Sequence, residues 1–172
     1  MVRALFPGTF DPIHYGHIDI ATRATRLFDE VVMAVYDKPL KSLIFSPEER
    51  MALVREAFND NPKIKVTGYS GLTVDFARQV DAQVIVRGLR VFSDFEFEFR
   101  MALANQRLAK DIETIALITA EQHTFLSAST VKEIAMLGGD VSSMVPPHVE
   151  FALKVKVAGL DGQHVPPNAL RD

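Results

Sequence analysis

Short apolar runs rich in β-branched residues alternate along this chain with longer stretches whose apolar positions recur at helical spacing. That alternation is the pattern of a parallel sheet covered by helices. A strand buried on both faces is apolar throughout, while each covering helix needs one apolar stripe. Strands are predicted at 2–6, 30–35, 64–67, 83–86 and 114–118. The first helix carries Ile20, Ala24, Leu27 and Phe28 at i, i+4, i+7 and i+8, one stripe expected to be buried.

Helix ends can be read from capping chemistry. Ser46-Pro47-Glu48-Glu49 opens the second helix: the serine caps, the proline suits the first helical position and Glu49 completes a capping box. A third helix follows Thr73. The fourth is predicted from Ser93, with Glu96 at capping-box spacing, and its stripe of Phe95, Phe99, Ala102 and Leu103 is expected to pack on the sheet. A fifth starts near Ser129 or Thr130, with Glu133 in its first turn, and stops at Gly138-Gly139. The last follows Pro146-Pro147. The expected fold is therefore α/β: a five-stranded parallel sheet with helices on both faces and a helical C-terminus. Ligands in such sheets bind beyond the carboxyl ends of the strands.

Length and composition narrow this picture. The 172 residues, 48% of them hydrophobic, suffice for one buried core and not for two ordinary domains, so one domain is expected over 1–158. The stretch 159–172 mixes glycine, proline and polar residues without periodicity and is expected to be a mobile tail. No run of eighteen apolar residues occurs, and a proline at position 7 interrupts any apolar leader, which points to a soluble, cytoplasmic chain without a membrane partner. With no cysteine, disulfides, thiolate metal sites and cysteine nucleophiles are excluded together. A net charge of -3 argues against an extended nucleic-acid footprint, whereas a small anionic ligand needs only a few cations. Lys41, Arg87 and Arg90 are candidates, each in a segment that reads as a loop.

The segment after the first strand, Gly8-Thr-Phe-Asp-Pro-Ile-His-Tyr-Gly-His17, carries the strongest chemical signal. Gly8 allows close backbone approach to a ligand, Thr9 offers a hydroxyl and an N–H, and Pro12 stiffens the turn. Gly16 and His17 then open a helix whose N-terminal N–H groups and dipole favour an anion. A metal held by Asp11, His14 and His17 is the alternative, but such a site needs a further ligand that the sequence does not single out.

This segment resembles the [His/Thr]-x-Gly-His signature of the nucleotidyltransferases. Three further segments, Arg87-Gly-Leu-Arg90, Asp94-Phe-Glu-Phe-Glu98 and Phe125-Leu-Ser-Ala-Ser-Thr-Val-Lys-Glu133, are similar in order and spacing to those of the bacterial phosphopantetheine adenylyltransferases. The resemblance spans residues 3–157. It implies a Rossmann-like sheet and the transfer of an adenylyl group from ATP to 4'-phosphopantetheine, giving dephospho-coenzyme A and pyrophosphate. Magnesium accompanying ATP, a homohexamer and feedback inhibition by coenzyme A are implied with it.

A phosphate monoester is already anionic at neutral pH and needs no general base, so the protein's task is positioning and charge neutralisation. His17 is then a stabiliser of transition-state charge, as imidazolium or through an N–H. The resemblance adds Lys41 and Arg90 as further catalytic cations. It also places Thr9 between the substrates, with Thr9 and Phe10 near the nucleotide through their backbone. Lys41 and Arg87 match cations that hold the phosphopantetheine phosphate, and Thr73 a backbone contact to the pantetheine arm. Gly88, Leu89 and Arg90 match the adenosine and phosphate loop, and Glu98 a nucleotide contact. The loop closing on the ATP phosphates matches His123, Thr124, Phe125, Leu126, Ser127, Ala128 and Ser129. Ala128, His123 and Phe97 depart from residues common at their positions. A sister enzyme acting on nicotinate mononucleotide and a non-catalytic nucleotide sensor are the competing readings.

Overall fold

The computed structural model describes residues 1–38 and 43–160. Five parallel strands, β1 (Arg3–Gly8), β2 (Glu30–Tyr36), β3 (Ile64–Tyr69), β4 (Val84–Leu89) and β5 (Glu113–Ile118), form one sheet in the order β3-β2-β1-β4-β5. Chain order reverses between β1 and β4, which leaves a crevice at their carboxyl ends. The connecting helices are α1 (Tyr15–Ala24), α2 (Pro47–Ala57), α3 (Thr73–Gln79), α4 (Phe92–Leu108), α5 (Ala128–Met136) and α6 (Pro147–Leu160).

Alternation along the strands divides the core in two. Ala4, Phe6, Val31, Met33, Val35, Val84 and Val86 face one cluster with residues of α1, α2, α5 and α6. Leu5, Val32, Ala34 and Ile85 point the other way, to Val74 and Ala77 of α3 and to Ala109 and Ile112 beyond α4. Ser46 caps α2 as expected, its Oγ accepting the Glu49 N–H while Glu49 accepts the Ser46 N–H. At the end of α5, Gly138 N–H donates to Ala135 and Gly139 N–H to Ile134, the paired bonds that close a helix.

Four expectations need correction. The strands β1 to β4 run further at their carboxyl ends than predicted, so Arg87, Gly88 and Leu89 are strand residues paired with Ala116, Leu117 and Ile118 and not loop residues. Helix α1 stops at Ala24 and the chain turns at Thr25. Leu27 therefore leaves the stripe and is exposed, while Phe28 is buried. Helix α5 starts earlier than predicted because Ser127, the first of three hydroxyl residues, takes the Thr130 N–H at 3.0 Å.

The fourth concerns α4. It starts at Phe92, and Ser93 does not cap it. The Asp94 carboxylate instead takes the Arg90 backbone N–H at 3.0 Å and its guanidinium at 2.9 Å, which sets the turn upstream of Ser93. No residue of α4 is buried: Phe95, Phe99 and Leu103 are each about half exposed. The predicted stripe exists, but the rings of Phe92, Phe95 and Phe99 stack along the helix surface and not against the sheet. The expected tail begins within the last turn of α6, and residues 161–172 lie outside the described residues.

Candidate active site

A cleft of about 340 Å³ opens at the crevice between β1 and β4. Its floor is Pro7, Gly8 and Thr9 from the end of β1 and Arg87 and Gly88 from β4. Its walls are the start of α1, the start of α5 and the facing side of α4.

The α1 wall is fixed from inside. Phe10 has a left-handed backbone (φ 51) and an almost fully buried ring, packed edge-on against Phe6 and, at 5.0 Å, against His17. A Cβ on Gly8 would come within 2.7 Å of that ring, so the glycine makes room for Phe10 as well as for a ligand. Strain of this kind persists only where packing over-determines it. Gly16 likewise leaves space for the His14 ring, which a Cβ would meet at 3.0 Å.

His14 caps α1, its Nδ1 accepting the Gly16 N–H at 3.1 Å. Burial, with the positive charges of Arg90 and His123 nearby, pushes its pKa down to about 3, so it is a neutral structural ring. It stacks on His17 at 3.7 Å. His17 in turn accepts the His14 backbone N–H on Nδ1 at 3.3 Å, which puts its ring hydrogen on Nε2, on the opposite edge. His17 is thereby held as an N–H donor among the residues lining the cleft.

Helix α5 supplies the second set of donors. Ser127, Ala128 and Ser129 line the cleft, and a helix start presents N–H groups without intrahelical acceptors. Ala128 keeps the backbone N–H of a helix start, so the missing hydroxyl costs the site no backbone donor. The α4 wall is ionic. Arg87 donates to both Glu98 oxygens at 2.7 Å and to the Pro7 carbonyl. Arg90 forks onto Asp94 and also donates to the Leu126 carbonyl.

Other expected site residues lie outside this cleft lining. Thr73 opens α3 and pairs its hydroxyl with Tyr69 at 3.0 Å. Leu89 ends β4, and its carbonyl accepts the Thr119 N–H. His123 sits over the start of α1 beside the Tyr15 ring, followed by Thr124 and an exposed Phe125. Leu126 is fully buried and anchors its segment through both backbone groups. Lys41 lies outside the described residues.

A family model described as cytidylyltransferase-like matches residues 5–134. Phosphopantetheine adenylyltransferases of Roseiflexus sp. (strain RS-1), Methylococcus capsulatus and Gloeobacter violaceus are 55%, 52% and 51% identical to this chain. The alignments cover 90%, 92% and 91% of it and 96%, 98% and 97% of those proteins. The chain belongs to the phosphopantetheine adenylyltransferase family. Its fold is also that of a Vibrio parahaemolyticus protein assigned as a nicotinate-nucleotide adenylyltransferase, with a TM-score of 0.68 at 19% identity over 90% of this chain and 99% of that one. Among the described residues, no helix is long and apolar enough to cross a membrane.

Within this member of the family, three residues in or behind the site were assigned no role by the sequence expectations. Arg50 is fully buried and donates to the carbonyls of Thr9, Tyr36 and Asp37, tying the start of the signature segment to the end of β2. Asp94 orients Arg90, and its i, i+4 spacing was the available signal. Lys132 pairs with Asp11 inside the protein, 121 residues away in the chain, and no local pattern announces that.

Proposed function

We infer that this chain transfers the adenylyl group of ATP to 4'-phosphopantetheine, giving dephospho-coenzyme A and pyrophosphate. The observation that carries the reading is one cleft at which two helix starts, the His17 donor and Arg87 and Arg90 converge. Around it stands a chain about half identical to enzymes bearing that name.

The reaction asks little covalent chemistry of the protein. An oxygen of the phosphopantetheine phosphate attacks the α-phosphorus of ATP, a new P–O bond forms, and the bond to the β-phosphate bridging oxygen breaks in line with release of pyrophosphate. Thr9 lies between the two substrates, the backbone of Thr9 and Phe10 lies near the nucleotide, and Nε2–H of His17 donates to the α-phosphate as its charge shifts. The start of α5 and Arg90 hold the departing phosphates, while Arg87, released in part from Glu98, and Lys41 hold the acceptor phosphate. Gly88 and Leu89 receive the adenosine, and Thr73 the pantetheine arm. Magnesium enters with ATP as part of the substrate. The acidic groups lining the cleft, Asp11, Asp94 and Glu98, are already engaged with cations or backbone N–H groups, so the reading assigns the ion to the phosphates and water.

Two further expectations belong here. The unburied apolar side of α4 supports a homo-oligomer, a hexamer by family resemblance, and coenzyme A, which carries the same pantetheine arm, is expected to inhibit by occupying the same cleft. The setting is cytoplasmic. The deciding experiment incubates the chain with ATP, magnesium and 4'-phosphopantetheine and follows pyrophosphate, with nicotinate mononucleotide as a parallel acceptor. Release with phosphopantetheine alone is expected. Release only with nicotinate mononucleotide would move the chain to the sister activity, and no release with either would leave a nucleotide-binding module.

A further inference from the structure

The Asp11 carboxylate is almost fully buried and completely used. One oxygen accepts the Phe45 N–H at 2.9 Å, and the other accepts the Ile44 N–H and the Lys132 ammonium, both at 3.0 Å. Lys132 is itself buried, with 9% of its side chain exposed. Desolvating two charges costs about what their attraction returns, so a pair of this kind is poor at raising stability compared with apolar residues of the same volume. What it provides is direction. Apolar packing of the shared core, to which Ile13 and Val131 both belong, tolerates sliding, while the Lys132 ammonium is directed onto a carboxylate that the Ile44 and Phe45 N–H groups already hold in place.

The ends of the pair identify what is being held. Asp11 follows Thr9 and Phe10 and precedes the His14 cap of α1. Lys132 lies five residues after Ser127, the cap of α5, or about 7 Å along the helix axis. We propose that Asp11 and Lys132 are positioning residues that fix the start of α5 relative to the signature segment, and so set the spacing of the two anion-binding helix starts across the cleft. Neither is a catalytic residue. They act through the N–H groups of residues 127–129 and through the placement of His17, where an error of about 1 Å is enough to cost a hundredfold in rate.

This proposal rests on the adenylyl-transfer reading, so the wild type is assayed beside the variants. The test variant is Asp11→Asn/Lys132→Met, which removes both charges at similar volume. It is expected to melt within a few degrees of wild type, lose about tenfold or more in kcat, and bind ATP about threefold to tenfold more weakly by calorimetry. The KM for 4'-phosphopantetheine should stay within about threefold. A general loss of structure would not spare that KM. Wild-type kcat and wild-type ATP affinity in the folded double variant would overturn the proposal. Should the wild type itself release no pyrophosphate, the adenylyl-transfer reading fails separately, and ATP affinity alone decides the pair. Should the double variant not fold, Lys132→Arg takes its place. The bulkier head group keeps the charge but displaces α5, and a kcat at least about threefold lower at unchanged phosphopantetheine KM is expected; unchanged kcat would overturn the proposal.

Discussion

Strands β2 and β5 have similar sequences, Glu-Val-Val-Met-Ala-Val-Tyr and Glu-Thr-Ile-Ala-Leu-Ile, and opposite surroundings. In β2 the five central residues are buried, whereas β5 has no buried residue, and Ile118 is 73% exposed. β2 has a strand on each side and helices over both faces. β5 is an edge strand beside α4, a helix with no fully buried residue. Apolar content states that a surface should be covered; it does not state by which chain. The cleft inherits the same division, since its α1 wall rests on the core and its α4 wall on partly buried ion pairs.

The largest contrast should appear in stability. Met33→Ala in β2 is expected to cost about 2–5 kcal/mol in urea unfolding, and Ile118→Ala in β5 less than about 0.5 kcal/mol in chains diluted until they are separate. At high concentration the Ile118 cost should grow if another copy covers the edge. A large cost at every dilution would instead place the cover within the chain. Next is the core-supported wall of the cleft: His17→Ala should lower kcat about a hundredfold, or about 3 kcal/mol, with little change in ATP affinity. Equal losses in both would make His17 a ground-state contact.

The buried wall should also be the pH-sensitive one. In the folded chain His14 takes up no proton until pH falls to about 3, while an unfolded histidine is protonated below about 6.5. Its contribution is therefore complete above pH 6.5 and is lost as pH falls toward 3, at about 1.4 kcal/mol per pH unit. His14→Asn should flatten that part of the stability profile, and an unaltered slope would assign it to other groups. The smallest contrast is between two serines. Ser127→Ala removes a working cap and should cost about 1 kcal/mol, while Ser93→Ala on α4 should cost almost nothing in thermal unfolding.

Those serines also mark how far sequence could be read. Ser46 and Ser93 present the same spacing to Glu49 and Glu96, and only the first caps, because Asp94 binds Arg90 and moves the helix start. Element type and order depend on local periodicity and were legible for all five strands and six helices. The burial of α4 was not, since a stripe reveals an apolar face but not its partner. In the cleft, Thr9, His17, Arg87 and Arg90 were legible because they follow strands or open a helix, and Gly88, Glu98 and the start of α5 through the family resemblance. Arg50 and Lys132 were not. Their partners are carbonyls and a carboxylate brought near only by the finished fold.

The bare side of α4 has a practical consequence for anyone handling the protein. Phe92, Phe95, Phe99 and Leu103 place a sticky ribbon along one side of a single helix, at 49–87% exposure. Until it is occupied, a newly made chain is a candidate for precipitation and chaperone capture. If a second copy covers the ribbon, yield on refolding should pass through an optimum in protein concentration; if none does, yield should simply improve on dilution.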